Sequence, residues 1–481
     1  MKVFTTSFLI SLCSIGFSQS YSSTTPIDVA SGMGNFHPQL EVLTDGTPAV
    51  LWTENTSKNI YFAKHDGTSA FETPIQLNPA GLGVQTYNWS GPDLWVEGDN
   101  IYVVFKEDGY STGAIYMVKS TDSGDTFGDT VRVDQLLNGY GQYPDVTALN
   151  DTVWVTFMDH DAGGLDPQFV VARSTDGGAT FESEVMAGEL WGVEACDCCQ
   201  PEILVNDSKV VLFLRNNDAN TRDIKSVVSY DRGATFTQMF SVDDHNWLIN
   251  ACPSTGPDAR FISENEVLVV YKTSVGGEAR IYLQGYDIDA DATTGGVQIE
   301  DNSSSNAQIN YPQLDVKDGV IGVAWEAAGE GIDVYVNSSE TGVINMNADN
   351  AFNVTNVTGT QNKPDISVGD GFFHLVYADS DGSIKYVQLS SLLSIEDQGA
   401  FLEMNAYPIP TTTELNISAS KSEDLSKAKL NVYNQLGQEV ELTYSATTSG
   451  IKANVQDLNS GTYHFVVSTE DHIFRGKFIK N

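Results

Sequence analysis

Between residues 25 and 390 the chain alternates apolar and polar positions in short stretches broken by turn residues, and the pattern recurs on a long period. A proline, a polar residue and an apolar residue open a strand-like run seven times: at Pro38-Gln-Leu, Pro92-Asp-Leu, Pro144-Asp-Val, Pro201-Glu-Ile, Pro257-Asp-Ala, Pro312-Gln-Leu and Pro364-Asp-Ile. Successive prolines lie 54, 52, 57, 56, 55 and 52 residues apart. A second, β-branched run follows each and ends near Trp52, Phe105, Phe157, Leu214, Tyr271, Trp325 or Tyr377. A third run comes next, as in Ile115–Lys119, Phe169–Arg173 and Ile224–Ser229, and a fourth closes the unit, as in Thr130–Val133.

Four short strands in each unit of about 50 residues is the pattern of a propeller blade. One blade alone leaves both sheet faces bare, so the blades must stack and the array must close. The seventh unit ends after its third strand, Ile384–Leu389, while Thr25-Pro-Ile-Asp-Val29 near the start copies Thr73-Pro-Ile-Gln-Leu77, the fourth strand of the first unit. The expected fold is therefore all-β: a seven-bladed β-propeller fastened by its own N-terminal strand, which removes the exposed edges, followed by a small β-sandwich. The expected domains are a signal peptide (1–19), the propeller (20–391), a linker (392–404) and the sandwich (405–481).

Three units carry nearly the same turn: Ser120-Thr-Asp122-Ser-Gly124-Asp-Thr126-Phe127, Ser174-Thr-Asp176-Gly-Gly178-Ala-Thr180-Phe181 and Ser229-Tyr-Asp231-Arg-Gly233-Ala-Thr235-Phe236, with a worn copy at His65–Phe71. The Asp can cap turn amides, the Gly allows positive φ, and the Phe anchors the hairpin. These turns resemble the Asp-box (BNR) repeats of sialidases and related propellers. That implies a structural role for Asp122, Asp176 and Asp231, on the face away from the ligand.

The two ends read differently. Lys2 followed by the apolar Phe8–Ile15 and a small or polar exit reads as an export signal, too short to span a membrane. Cys13 follows Leu12, which disfavours a lipidation site. Beyond Leu392–Gly399, strand-like pieces at Glu414–Ser418, Lys429–Tyr433, Gly450–Val455, Thr462–Ser468 and Ile473–Ile479 are separated by turn signals at Asn434–Gly437 and Asn459–Gly461. Tyr407-Pro408-x-Pro410, Asn431-Val-Tyr433, Asp457-Leu-Asn-Ser-Gly461-Thr-Tyr463 and the terminal Gly476-Lys-Phe-Ile-Lys-Asn481 resemble the C-terminal sorting domains of the type IX secretion system of Bacteroidetes. The resemblance implies a secreted or outer-surface protein and a partner in that secretion machinery.

Charge narrows the partners. Asp plus Glu number 64 against 25 Lys plus Arg, a formal charge of -39, which repels phosphate backbones and anionic lipid, so nucleic acid and membrane docking are excluded as expectations. A monomer that binds a glycan or surface glycoconjugate is expected. The acidity leaves room for Ca2+, although no EF-hand-type loop is present, and no cofactor is expected.

The repeat register selects candidate site residues. Loops between second and third strands share a face with the segments entering first strands. They supply Glu54, Lys106, Glu107, Asp159, His160, Asp161, Arg215, Asn216, Lys272, Glu326 and Asp379 on one side of the count, and His37, Trp89, Tyr143, Glu194, Tyr311 and Lys363 on the other. The fourth unit is the richest, with Trp191-Gly-Val-Glu194-Ala-Cys196-Asp-Cys198-Cys199 and, farther on, Cys252. In an exported chain these four cysteines read as two disulfides, Cys252 pairing with one of the other three; a soft metal is the rival.

The sialidase resemblance implies an arginine clamp, a Tyr nucleophile with its Glu, and an Asp acid/base. The matching positions are Arg215, Arg260 and Arg280; Tyr271 with Glu194; and Asp159, with His160, Lys272 and Glu326 as further substrate contacts. The family's early Arg-Ile-Pro motif is missing, since no Arg precedes Arg132, and seven units stand where the family has six. Two other readings stand beside it. One is a uronate lyase using His160, Tyr143 or Tyr271 as base with Arg215 or Lys272 as cation. The other is a glycan-binding or structural adhesin with no chemistry.

Overall fold

The computed structural model describes residues 19–481 except 136–138, 161–166, 188–193, 301–307, 330, 340–345, 370, 394–403, 420–424, 434–438, 441, 457 and 470–472. The signal segment with Cys13, Asp161, Trp191, most of the linker and the turn at 434–437 therefore lie outside the described residues. The chain divides into two compact units, Ser18–Leu392 and a second containing Leu393–Asn481.

The first unit is a seven-bladed β-propeller. Blade 1 pairs Asn35–Val42, Pro48–Glu54, Asn59–Lys64 and Ile75–Gln76 in order, and the same meander recurs in the later blades. The innermost strands of blades 2 to 7 are Asp93–Glu97, Tyr140–Leu149, Glu202–Val205, Asp258–Phe261, Asn310–Lys317 and Gly359–Gly369. Blade 7 takes its fourth strand from the start of the chain: Ile27–Ala30 lies antiparallel to Ile384–Leu393, with Ile27 opposite Tyr386 and Asp28 opposite Lys385. A further strand, Gln19–Ser23, pairs with the same partner.

The recurring Pro-polar-apolar triplet has a physical reason. An inner strand has one edge on the propeller axis, where no neighbouring strand can accept its N–H groups. Proline brings no N–H to that edge. The residue after it, where it is Asp, accepts the amide of the next blade's inner strand. Asp145 Oδ2 takes Ile203 N at 2.6 Å, Asp258 Oδ2 takes Leu314 N at 2.6 Å, and Asp93 Oδ2 takes Val146 N at 3.3 Å. Asp365 Oδ2 takes Leu40 N at 2.6 Å, bonding blade 7 to blade 1 and closing the ring. Apolar clusters fill the blade interfaces, such as Leu51 and Phe62 against Val103 and Phe105, or Trp154 and Phe169 against Leu212 and Val227.

The three Asp-box turns share one hydrogen-bond plan. In the first, Ser120 Oγ donates to Asp122 Oδ1 at 2.7 Å and accepts Gly124 N at 2.9 Å, while Thr126 donates its amide and hydroxyl to the Asp122 carboxylate at 2.9 and 2.6 Å. These bonds hold the Asp122 and Asp176 carboxyls down at about 2. Ser123 N reaches Asp99 O in the turn between first and second strands, so the boxes lie on the face opposite the inner-strand entrances. The box glycine has φ near +80 to +90° and lies on the preceding blade: a Cβ on Gly233 would stand 2.8 Å from Trp154 Nε1, and one on Gly124 2.5 Å from Phe62. Gly233→Ala is expected to destabilise the ring by about 2 kcal/mol, combining left-handed strain with overpacking. Chemical denaturation against the parent chain measures it.

The second unit holds two four-stranded sheets. One contains Met404–Tyr407, Glu414–Ala419, Gly450–Asn454 and Tyr444–Thr447, the other Glu439–Val440, Lys429–Tyr433, Gly461–Ser468 and Ile473–Lys480. Their apolar faces meet in a core that includes Leu415, Ile417, Val432, Ile451, Phe465 and Phe478, a β-sandwich.

Candidate functional site

The residue before each inner-strand proline decides what faces the axis. In blades 1, 3, 6 and 7 that residue is His37, Tyr143, Tyr311 and Lys363, held at φ 52°, 54°, 47° and 51°. A following proline already narrows a residue's options, and a side chain in the left-handed region costs about 1–2 kcal/mol. The ladder register slips at the same four places, between Phe36 and Gln39, Gln142 and Asp145, Asn310 and Gln313, and Asn362 and Asp365. Each is a bulge that turns one side chain out of the blade, the arrangement that proteins use beside binding sites.

His37, Tyr311 and Lys363 line a cavity of about 110 Å3 on the axis, ringed by the seven repeat prolines. The His37 ring lies against Gly91, where a Cβ would stand 2.7 Å from it. Burial, then the Lys363 charge, pushes the His37 pKa down to about 3, so its ring is neutral. Lys363 Nζ sits 3.4 Å from the centre of the Tyr311 ring and 3.9 Å from Glu326 Oε2, which also accepts Lys363 N at 3.2 Å. Lys272 Nζ donates to Asn310 Oδ1 at 3.4 Å. Burial lowers both lysines to about 8, with Arg215 adding to the effect on Lys272, and burial raises Glu326. Two ammonium groups around one carboxylate make a locally cationic patch in a strongly acidic chain.

Aromatic side chains continue the rim. Tyr87 stacks on Trp89 at 5.3 Å, Trp89 Nε1 donates to Tyr143 Oη at 3.5 Å, and Tyr143 donates to Asp197 O at 3.3 Å. Asp197 belongs to the cysteine corner, where Cys196 joins Cys199 and Cys198 joins Cys252. All four cysteines of the corner are thus paired with one another. Behind this corner the buried Arg222 guanidinium has no hydrogen-bond partner at Nε or Nη1 among the described residues. The repeat register gave no hint of it, because only the loop fold shows that this side chain turns inward.

The sialidase-type constellation is not assembled, and the correction has a clear cause in each case. Arg215 is fully buried and spends its donors on the carbonyls of Thr255, Arg222 and Lys272. Arg260 lies in the axial channel between Glu202 and Asp258, and Arg280 pairs with Glu278. No clamp remains. Tyr271 is buried among Val269, Tyr286 and neighbours between blades 4 and 5, its hydroxyl 3.5 Å from His245 Nδ1, and burial raises its pKa. Glu194 is exposed and accepts Asn217 Nδ2 at 3.1 Å, so it does not activate Tyr271. Asp159 pairs across its blade with Gly141 and Gln168, and His160 stacks on Tyr140 at 4.6 Å; both stay on blade 3. Lys272 and Glu326 are the expected contacts that the fold does bring together.

In sequence, residues 405–481 match the family described as the secretion system C-terminal sorting domain. The C-terminal unit is a type IX sorting domain. The sorting domain marks the protein for export to the secreted or cell-surface fraction of a Bacteroidetes-type bacterium. No curated protein matches the chain in sequence. Among solved structures, an ulvan lyase of polysaccharide lyase family 25 is 12% identical, with 75% of this chain and 95% of that one covered and a TM-score of 0.50. A protein of unknown function from Dyadobacter fermentans is 11% identical over 77% of this chain and 99% of its own, TM-score 0.46. The sialidase NanB of Streptococcus pneumoniae is 11% identical over 78% and 70%, TM-score 0.39. At such identities the likeness concerns the fold alone.

Proposed function

We propose that the exported propeller binds an acidic glycan across its axial mouth, with Lys272 and Lys363 holding a carboxylate or sulfate and Tyr311 offering a stacking face. The observation that carries this is the set of four non-glycine residues held at positive φ before proline, three of them lining one cavity. Strain of that kind persists where the surrounding fold over-determines it, and it clusters at binding sites. The cavity is too small for a whole oligosaccharide, so the chain of sugars lies over the rim and only an anionic group enters.

Titration calorimetry with oligogalacturonate, oligoalginate and their neutral counterparts tests the proposal. Lys363→Ala should weaken binding of the acidic oligomer by about tenfold or more, as truncating a desolvated charge pair does. Both lysines carry their charge below about 8 and lose it above. Affinity should therefore fall as the pH rises through that value, and a flat profile would count against the site. Unsaturated product appearing with time would instead support a second reading, β-elimination from a uronate. That reading rests on the same pair of ammonium groups, beside which an enolate could form.

A further inference from the structure

A second pocket, of about 460 Å3, lies on the Asp-box face at the seam between blades 7 and 1. We infer that it is a binding site for a neutral oligosaccharide, separate from the axial mouth on the opposite face.

The pocket exists because blade 1 departs from the Asp-box pattern. In blades 2, 3 and 4 the box glycine lies so close to the preceding blade that a Cβ would stand 2.5 Å from Phe62, 2.2 Å from Met117 and 2.8 Å from Trp154. A side chain at that position would collide with the neighbouring blade. In the blade 1 turn, Lys64-His-Asp66-Gly-Thr68-Ser-Ala-Phe71, the same position holds Thr68. Asp66 still organises the turn, accepting the Thr68 amide and hydroxyl at 2.8 Å each. The Thr68 Cβ, however, prevents the close approach. On blade 7, Tyr386 stands opposite Val376 as Phe62 stands opposite Leu51 and Met117 opposite Val104. The two ends of the turn, His65 and Phe71, reach the Tyr386 ring, while its tip, Gly67-Thr68-Ser69, lines the pocket together with Tyr386.

Its lining suits a sugar. Of the lining residues, His65 contacts the Tyr386 ring at 5.7 Å between centroids, giving the pocket an aromatic wall, and Phe372 adds a face that is 38% exposed. Thr68, Gln388 and Asp45 supply hydroxyl, amide and carboxylate groups around it. No Lys or Arg is among the described lining residues, so nothing there recognises an acidic sugar. Aromatic faces with a few convergent polar groups, in a volume within the usual range of roughly 300–1,000 Å3, fit a short run of neutral pyranose rings.

The full chain is titrated with maltohexaose, xylohexaose, laminarihexaose and mannohexaose, alongside oligogalacturonate. At least one neutral hexasaccharide should bind. Phe372→Ala should weaken it by about tenfold, and Thr68→Gly, which restores the box residue and lets the turn close on Tyr386, should do the same. Lys363→Ala should leave neutral binding unchanged, so the two sites stand or fall separately. Phe372→Ala trims an exposed side chain, which keeps the test decisive if Thr68→Gly folds poorly. The inference is overturned if no neutral hexasaccharide binds at about 5 mM, if neither pocket variant weakens binding, or if Lys363→Ala abolishes it.

Discussion

Arg260→Met should lower the unfolding free energy by about 3–5 kcal/mol near pH 8, the range for removing one partner from a buried ion cluster. Below the cavity, the axial channel is lined by Glu41, Asp93, Asp145, Glu202, Asp258 and Asp365, and Arg260 is the one cation among its described lining residues. Its Nη1 lies 2.9 Å from Glu202 Oε1 and 2.8 Å from Asp258 Oδ1, with Nε 3.6 Å from Asp315 Oδ1. Burial opposes the guanidinium charge, but these carboxylates outweigh it and hold it charged well above the ordinary range. Burial first, then mutual repulsion, raises the carboxyls of Glu41, Asp145 and Glu202, and Asp365 is pushed up to about 7.

The pH dependence follows from that direction. A carboxyl whose pKa is raised on folding keeps its proton in the folded state after the unfolded chain has lost it. Stability is therefore greatest below the unfolded value, near 4, and falls as the pH rises through the folded one. Removing Arg260 takes away the charge that makes ionisation tolerable, so the loss in Arg260→Met should be smaller near pH 5, where Asp365 keeps its proton. Urea unfolding of both chains at the two pH values measures this. An equal loss at both would mean that the arginine acts through packing alone.

What the amino-acid order discloses differs between scaffold and site. The blade count was readable because an inner strand opens on a Pro at a fixed offset, which repeats seven times, with Asp after it in four of the units. Ring closure was readable because Ile27–Ala30 supplies the strand that blade 7 lacks. The register also placed His37, Tyr143, Tyr311 and Lys363 before their strands. It could not show that all four sit in left-handed bulges, since those depend on how the ring crowds its axis. Arginines were the natural choice for a carboxylate clamp, yet Arg215 and Arg260 are consumed by carbonyls and carboxylates from blades far apart in the chain. The weaker cations, Lys272 and Lys363, were left beside the cavity. The blade 1 turn reads as a worn box in sequence, and only the seam shows that the wear opens a pocket.

Separating Cys198 from Cys252 should cost nearly as much as losing Arg260. The two lie 54 residues apart, so their bond closes a long loop in the unfolded chain, and the chain-entropy model gives about 4 kcal/mol. Cys196 and Cys199 are only 3 apart, for which the same model gives about 2 kcal/mol. Cys252→Ser should thus lower the melting temperature more than Cys199→Ser, and a reductant should bring the parent chain down past either variant. The loss should also reach the mouth. Cys196 N donates to Arg215 O at 2.8 Å, and the Asp197 carbonyl holds the Tyr143 hydroxyl, so a loosened corner frees one side of the aromatic rim. Calorimetry with the acidic oligomer should show weaker binding in Cys252→Ser at a temperature where the variant is still folded. Unchanged affinity there would make the staple purely a device of stability, and an unchanged melting temperature would mean the long loop is already constrained by the blades it joins.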